Sequence, residues 1–154
     1  MELATALGFL VGSLVVGLVS GLVPVLNTEA YLLAVAAFAP SERLLPVIVL
    51  TTLGQMIAKS LLYLAGSGVM SQRFLGARAA RLEEVKSRLE TAPLGVAALV
   101  FASAAAGWPP FYLVSLAAGS LRWSLSRFLL VGGSGRLLRF TAVVAVSRLL
   151  GVAP

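Results

Sequence analysis

The 154-residue chain contains no cysteine, no histidine and no aspartate. The absence of cysteine excludes disulfides and thiol chemistry, and the absence of histidine removes the commonest general base and zinc ligand. Six glutamates supply the only side-chain carboxylates, which is few for a metal cage. We therefore expect that the protein is not an enzyme and that it uses no metal and no other cofactor.

Charge is also scarce. Charged residues make up 12% of the chain and hydrophobic residues 59%, whereas a soluble domain carries about 25% charged residues. This composition predicts an integral membrane protein. The net charge of +6 is compatible with nucleic-acid binding, but the basic residues flank apolar segments, so an anionic lipid surface explains them better. We expect anionic lipids and the membrane as partners, and no nucleic acid.

The first apolar run covers residues 3–23 and contains glycines at close to one-turn spacing, namely Gly8, Gly12, Gly17 and Gly21. Small residues at this spacing allow close helix contact in lipid, and the first three offer a packing face for a homodimer. No lysine or arginine precedes the run, as a cleavable signal peptide would require. We expect the run to belong to the mature fold.

A helical hairpin is predicted where this run ends. Pro24 interrupts it, and residues 28–39 then resume an apolar helix that starts around Asn27. About 12 residues reach roughly 18 Å, too short for a hydrocarbon core of about 30 Å. The pattern is typical of a re-entrant half-helix. The following segment, residues 42–66, is long enough to span the membrane with some tilt.

Residues 72–91 differ in character, because their apolar positions recur at helical spacing while basic and acidic residues fill the others. The pattern predicts an amphipathic helix that lies on a membrane surface or packs under the helical bundle. An ordinary solvated connecting helix is the alternative. A nucleic-acid-binding helix is the least favoured interpretation.

The last third repeats the pattern of the first. Residues 93–106 and 111–121 are short apolar segments, and residues 123–150 form a second segment long enough to span. Between the short segments the chain is broken by Gly107, Pro109 and Pro110. Pro110 stands where proline favours the start of a helix. We therefore predict a second re-entrant hairpin.

The predicted fold is an all-α integral membrane protein of two inverted repeats, each a re-entrant helical hairpin plus a transmembrane helix, joined by the amphipathic helix. A single membrane domain, 1–154, comprises repeat 1 at about 3–68, the linker at 70–92 and repeat 2 at about 93–150. Paired Gly/Pro-interrupted segments in two halves indicate a transport site. The alternative is that these residues only help helices to pack.

Four ionisable side chains lie deep inside apolar segments: Glu29, Lys59, Arg136 and Arg139. Charges at membrane depth are costly and are usually paired or functional. Three cations against one carboxylate leave a positive excess, which favours an anion, and a phosphate-bearing headgroup suits the arginine fork. The predicted substrate- or proton-binding residues are Glu29, Asn27, Gln55, Lys59, Arg136 and Arg139.

Each charge also has a plainer interpretation. Glu29 at a helix start favours the helix dipole without any further role. Lys59 lies close enough to the end of its span to extend its ammonium towards the charged loop. Arg139 pairs structurally with Glu29 in the third alternative. Arg136 is too central in its segment to reach the interface easily.

Several motifs occur in an order that resembles one known family. They are Pro24 through Glu29, with the acid shortly after the proline; Gly54 followed by Tyr63 and Gly66; and Ala118-Gly119, Arg122, Arg127-Phe128 and Gly135. In this order, over roughly residues 20–140, the chain resembles the DedA/VTT superfamily, also called SNARE-associated Golgi proteins, and especially its shorter bacterial members.

The resemblance implies two opposed re-entrant hairpins and a role in lipid movement. Members of the family are lipid scramblases in eukaryotes and transporters of undecaprenyl phosphate or phospholipid in bacteria, some with a proton-motive requirement. Glu29 corresponds by position to the family's membrane-embedded acid. The chain departs from the family at residues 104–111, where it has no arginine around the second proline break.

The resemblance and the charges together predict a transporter or scramblase for an anionic lipid, phospholipid or polyprenyl phosphate, in the bacterial inner membrane. A small-solute or ion-coupled transporter and a non-transporting membrane assembly protein are the alternatives. The 70–92 loop is predicted to be cytoplasmic, because its face carries seven basic residues against Arg43 and Arg148 opposite; they are Arg73, Arg78, Arg81, Lys86, Arg88, Arg122 and Arg127.

Overall fold

The computed structural model describes residues 2–23, 26–69, 79–91 and 95–151. The elements in these residues are all helical: α1 Glu2–Leu22, α2 Thr28–Phe38, α3 Ser41–Leu64, α4 Ala79–Thr91, α5 Gly95–Ala106, α6 Phe111–Ser120 and α7 Leu125–Leu149, with a wide turn, Ala65–Val69, following α3. The all-α prediction is confirmed, and the helix bounds lie close to those read from the apolar runs.

Two helical segments are long and apolar enough to cross a membrane. They are Ser41–Gly68, of 28 residues, and Leu125–Leu149, of 25 residues. Two such helices are weak support for a membrane protein, but they coincide with the segments predicted to span. Helices α2, α5 and α6 have 11, 12 and 10 residues, so at 1.5 Å per residue each falls well short of a core of about 30 Å.

The chain divides into two compact units, and the divisions fall inside the two long helices. Unit 1 is Met1–Ala58 with Arg136–Pro154, and unit 2 is Lys59–Gly135. Unit 1 therefore holds α1, α2, the first part of α3 and the second part of α7. Unit 2 holds the last turns of α3, the wide turn, α4, α5, α6 and the first part of α7.

The core of unit 1 lies where α2, the start of α3 and the second part of α7 meet. The buried side chains of α2 follow one another at intervals of four, three and one, which places them on one helical face. The buried cluster consists of Leu32, Val35, Ala36, Ala39, Val47, Ile48, Phe140 and Val144, with Tyr31 and Leu44 packed against it.

Helices α1 and α3 approach each other closely at two glycines. A side chain added at Gly17 would meet the backbone of Thr51, and one added at Gly54 would meet the backbone of Leu14. This is the small-residue contact expected between helices in lipid. Gly17 therefore packs inside the unit, and the homodimer face stays a prediction. Gly8 and Gly12 have open space around them.

Helix α6 is the centre of unit 2, with eight of its ten residues buried. It packs against α4, α5 and the wide turn. A side chain added at Gly119 would meet the backbone of Tyr63, and one added at Gly66 would meet that of Leu116. These contacts place α6 antiparallel to the end of α3. Both glycines belong to the motif residues named above.

The predicted amphipathic helix is confirmed in its described part. In α4, Leu82, Val85 and Leu89 are buried while the charged residues between them are mostly exposed. The buried face packs against α5 and α6. Of the interpretations left open, packing under the helices is thus the one supported. The beginning of the predicted helix, residues 72–78, lies outside the described residues.

The second hairpin breaks where it was predicted. Gly107 follows α5 with a φ of 82°, the left-handed conformation in which glycine ends helices, and its N–H donates to the Ser103 carbonyl. The Ser103 hydroxyl donates to the Pro109 carbonyl at 2.5 Å. Pro110 is the cap residue before α6 rather than its first helical residue. Of the predicted breaks, Pro24 lies outside the described residues.

Candidate anion site in unit 1

The start of α2 is fixed by a side-chain cap. The Asn27 carbonyl oxygen accepts hydrogen bonds from the backbone N–H of Glu29 at 2.9 Å and of Ala30 at 3.3 Å. Such a cap satisfies two of the donors that a helix start leaves open. It places Glu29 in the first turn, where a carboxylate favours the helix dipole. Asn27 thus has a structural role in orienting the acid.

Glu29 forms an ion pair with Arg139 across 110 residues of sequence. The Arg139 Nε donates to Glu29 Oε1 at 2.5 Å, and its Nη2 contacts the same oxygen. The Glu29 side chain keeps 32% of its surface exposed and the Arg139 side chain 23%. The Glu29–Arg139 pairing, one of the alternatives left open by the sequence, is therefore present, and the pair is partly exposed rather than fully buried.

Arg136 adds a second guanidinium to this pair. It lies on α7 three residues before Arg139, one turn away on the same face. Its guanidinium carbon is 5.9 Å from the centre of the Phe140 ring, and its charge is repelled by Arg139 and attracted by Glu29. Two guanidiniums against one carboxylate leave one positive charge in excess. We call Glu29, Arg136 and Arg139 the charged cluster.

A buried polar network lies in the same unit. The Gln55 Nε2 donates to the Thr28 hydroxyl at 2.6 Å and to the Ser20 hydroxyl at 3.2 Å. Thr28 donates in turn to Ser20 at 2.8 Å. All three side chains are buried. Sequence reasoning found Gln55 but missed Ser20 and Thr28, whose only signal was that two hydroxyl residues flank the Pro24 interruption.

One oxygen of this network has no bond within the described residues. The Gln55 Oε1 atom is buried without a hydrogen-bond partner there, and so is the Thr51 hydroxyl four residues earlier on α3. Buried acceptors of this kind are costly unless a ligand or water satisfies them. The side of α3 that faces the hairpin is therefore polar where a lipid-facing helix would be apolar.

Lys59 lies on the predicted polar stripe of α3. Thr52, Gln55, Lys59 and Tyr63 are 4%, 4%, 5% and 7% exposed, so this face turns inward as predicted. Such burial argues against the alternative in which the Lys59 ammonium extends to the charged loop. Lys59 belongs to unit 2, and we do not count it in the charged cluster.

Arg148 holds the end of α2, a contact that its sequence position does not predict. Its Nη1 donates to the Ser41 hydroxyl at 2.6 Å, and its Nη2 donates to the carbonyls of Ala39 at 3.0 Å and Ala36 at 3.3 Å. A cation at the last carbonyls of α2 also favours its dipole. Because Glu29 binds Arg139 at the other end, α2 lies parallel to the second part of α7.

In unit 2, arginines reach the second hairpin from α4. The Arg88 guanidinium lies over the Trp108 ring, 5.1 Å from its centre, and pairs with Glu84 at 2.6 Å. Arg81 and Arg88 line a cleft of about 250 Å³ beside Trp108 and Pro109. The Arg88–Glu84 pair is exposed, so it contributes little stability. The arginines beside this break therefore come from α4 and not from residues 104–111.

Among the described residues, no group of three or more His, Cys, Asp or Glu side chains is placed to hold a metal ion. Comparison of the chain with known proteins finds no matching family model, no matching curated protein and no matching solved structure. The resemblance to the DedA/VTT superfamily therefore stays a prediction from the motif residues.

Proposed function

We propose that the chain is a membrane transporter or scramblase for an anionic lipid, and that the charged cluster binds the phosphate of its headgroup. The observation that carries the proposal is the partly exposed Glu29–Arg139 ion pair, with the guanidinium of Arg136 one helical turn away. An arginine fork matches phosphate geometry and holds it with two parallel bonds. Phospholipid and polyprenyl phosphate both present this group.

The ion pair suits a site that must be alternately empty and filled. A guanidinium at membrane depth is costly without a counter-ion. When no lipid is bound, Glu29 neutralises Arg139. An arriving phosphate competes with Glu29 for that guanidinium and adds Arg136 as a second donor. Exchange of one anion for another keeps an anion beside Arg139 throughout transport.

The internal contacts of the two units support an inverted repeat. In unit 1, Gly54 of α3 packs against α1, the first helix of its hairpin. In unit 2, Gly135 of α7 packs against Phe101 and Ala104 of α5, the first helix of the other hairpin. Each half-helix also lies beside the second part of the long helix from the other repeat, α2 with α7 and α6 with α3. This exchange supports alternating access between two related halves.

We place the protein in the bacterial inner membrane with the 70–92 loop in the cytoplasm, on the basis of the basic residues around that loop. Glu29 is the group through which proton coupling would act, facing Arg136 and Arg139. A homodimer would use the open surface of α1 around Gly8 and Gly12.

The direct test is lipid movement in proteoliposomes that contain the full chain. The matched variants are Arg139→Gln and Arg127→Gln, since Arg127 is an exposed arginine on the same helix. We expect Arg139→Gln to lower the flux of fluorescent phosphatidylglycerol by about tenfold or more, equivalent to about 1.4 kcal/mol of lost interaction. Arg127→Gln should retain wild-type flux.

Unchanged phosphatidylglycerol flux in Arg139→Gln would overturn the proposal. Flux of inorganic phosphate in place of lipid would support a small-anion transporter, and absence of any flux in the wild type would support an assembly protein. An imposed pH gradient tests coupling, because wild-type flux should respond to it and Glu29→Gln should not.

A further inference from the structure

An apolar groove runs along unit 1 between α2 and the second part of α7. Its volume is about 490 Å³, and the side chains that form it include Leu33, Ala142, Val143, Val146 and Leu150. Among the described residues that line it, Glu29 alone is charged. We call this the α2–α7 groove. It lies entirely within one unit, so its walls are held by that unit's own core.

The groove and the charged cluster are in register. Along α7 and the residue after it, Arg139, Val143, Val146 and Leu150 recur at intervals of four, three and four, which places them along one helical face. On α2, Glu29 and Leu33 are one turn apart in the same direction. The stripe from Arg139 to Leu150 is about 16 Å long at 1.5 Å per residue. One end is therefore charged and the rest is apolar.

The polar side chain in the floor of the groove is already satisfied. Ser147 lines the groove but is buried, and its hydroxyl donates to the Val144 carbonyl of its own helix at 2.9 Å. Arg148 and the Glu29–Arg139 pair hold α2 against α7 at the two ends. The groove is thus a fixed feature between two tied helices rather than a gap between loosely packed ones.

We propose that the α2–α7 groove binds one hydrocarbon chain of the lipid whose phosphate occupies the charged cluster. The inference rests on the proposed function and defines the substrate more closely. The substrate is an amphiphile that carries an anionic head and at least one chain long enough to lie along about 16 Å of helix. The excess positive charge of the cluster at one end of the groove selects an anionic amphiphile, since a purely apolar ligand would make no contact with the cluster.

The hydrocarbon chain contributes alignment more than affinity. Inside a bilayer a lipid tail is already surrounded by hydrocarbon, so its transfer into the groove gains only packing contacts. Its effect is to hold the headgroup at Arg139 while the site changes exposure. A lipid with short chains binds the cluster without this alignment, and the wild type should move it more slowly than a long-chain lipid with the same headgroup.

The test fills the groove without touching the cluster. Ala142→Trp places an indole in the groove, whereas Ala145→Trp puts the same side chain on an exposed position of the same helix outside it. We expect Ala142→Trp to lower the flux of dipalmitoyl phosphatidylglycerol about tenfold, equivalent to about 1.4 kcal/mol, and to leave that of dihexanoyl phosphatidylglycerol unchanged. Ala145→Trp should leave both unchanged. Leu33→Trp, from the opposite wall, should reproduce the loss.

The outcomes separate this inference from the proposed function. If both tryptophan variants in the groove fold and move the long-chain lipid at the wild-type rate while Arg139→Gln does not, the groove proposal is wrong and the anion site stands. If Arg139→Gln moves both lipids normally, the anion site itself is wrong. A change from dimer to monomer on size-exclusion chromatography of Ala142→Trp would assign the groove to a second copy of the chain and overturn the lipid-chain assignment.

Discussion

The two hairpins pack against the long helices in a similar way, but the residues at the start of their second helices, α2 and α6, differ in chemistry. At the start of α2, the cap residue and the first two helical residues are Asn27, Thr28 and Glu29, and each makes a side-chain hydrogen bond or ion pair. At the start of α6, the corresponding residues are Pro110, Phe111 and Tyr112. The cap there makes no side-chain bond. Only the first hairpin therefore has a charged start.

The same contrast extends to the long helices beside each hairpin. In unit 1, the part of α7 beside α2 carries Arg136 and Arg139. In unit 2, Phe128 of α7 stacks on Phe111 with ring centres 5.8 Å apart and packs against Tyr63 at 5.4 Å. The Tyr63 hydroxyl donates to the Trp123 carbonyl. The start of α6 is thus packed by apolar and aromatic contacts, whereas the start of α2 is held by an ion pair, and this difference supports the proposed binding role of the charged cluster.

The largest expected effect tests the close contact that each long helix makes, through a glycine, with the first helix of a hairpin. Gly54→Leu should destabilise the protein by about 3 kcal/mol or more, because the new side chain would collide with the backbone of α1 and overpacking alone costs about 1–3 kcal/mol. Gly135→Leu should have a similar effect in unit 2, where Ala104 and the Phe101 backbone are in the way. Thermal unfolding in detergent measures both.

Gly12→Leu is the control for this pair, since nothing lies within 4 Å of a side chain at that position. At protein concentrations at which the chain is monomeric, it should unfold at nearly the wild-type temperature. If Gly135→Leu is tolerated while Gly54→Leu is disruptive, the two hairpins do not share the same helix packing, and the inverted repeat that we propose is contradicted.

The second-largest expected effect tests the Glu29–Arg139 ion pair at the start of α2. Glu29→Gln should destabilise the protein by about 1–2 kcal/mol, because it removes the carboxylate that pairs with the Arg139 guanidinium. A fully buried pair would lose about 3–5 kcal/mol, but this pair is a quarter to a third exposed and water screens it. The corresponding change in unit 2, Tyr112→Phe, removes no charge, so its cost should not vary with salt. Unfolding in detergent at low and high salt measures both, and the Glu29→Gln effect should shrink as salt rises.

The double variant Glu29→Gln with Arg139→Gln separates the pair from its members. If the ion pair is the cause, the double variant should recover much of the stability lost in Glu29→Gln, since the cluster then returns to one excess positive charge, as in the wild type. Equal losses in the single and double variants would indicate that Glu29 acts only through the dipole of α2, the simpler interpretation raised from its sequence position.

The helices could be predicted from sequence because their limits follow from local features. Apolar run length and the Gly107 to Pro110 break define α5, α6 and α7 without any knowledge of their neighbours. The contacts of Gly17 and Arg148 could not be predicted in this way. Gly17 looks like Gly12 in sequence, and only packing against Thr51 distinguishes them. Arg148 binds carbonyls more than 100 residues away, and its own segment contains no sign of that partner.

The charged cluster was predictable for a different reason. A charge inside a predicted membrane span is costly, so Glu29, Arg136 and Arg139 stand out in apolar segments from the amino-acid sequence alone. Ser20 and Thr28 did not stand out, because a hydroxyl in an apolar helix can bond its own backbone and is common there. Their roles became visible only where Gln55 was brought against both of them.

A smaller effect tests the buried network. Gln55→Leu removes the donor to the Ser20 and Thr28 hydroxyls, which still bond each other. Two hydrogen bonds of about 1 kcal/mol each are lost, but removal of the buried Gln55 oxygen, which has no described partner, offsets part of this, so the expected net loss is about 1 kcal/mol. Ser103→Ala, which removes the bond to the Pro109 carbonyl in unit 2, should cost about the same by thermal unfolding. A much larger lipid-flux defect in Gln55→Leu than in Ser103→Ala would link the network to binding.

The smallest effect distinguishes the two caps. Asn27→Ala removes the acceptor that holds the first turn of α2 and should cost about 1 kcal/mol, whereas Asn27→Ser keeps a capping oxygen and should recover most of that loss. Pro110→Ala removes no side-chain cap bond and should change stability by less than about 0.5 kcal/mol. Because the cap also orients Glu29 towards Arg139, Asn27→Ala should lower lipid flux while Pro110→Ala should not. Equal flux in the two variants would mean that the polar start of α2 serves only its helix, and the contrast between the hairpins would then carry no information about the binding site.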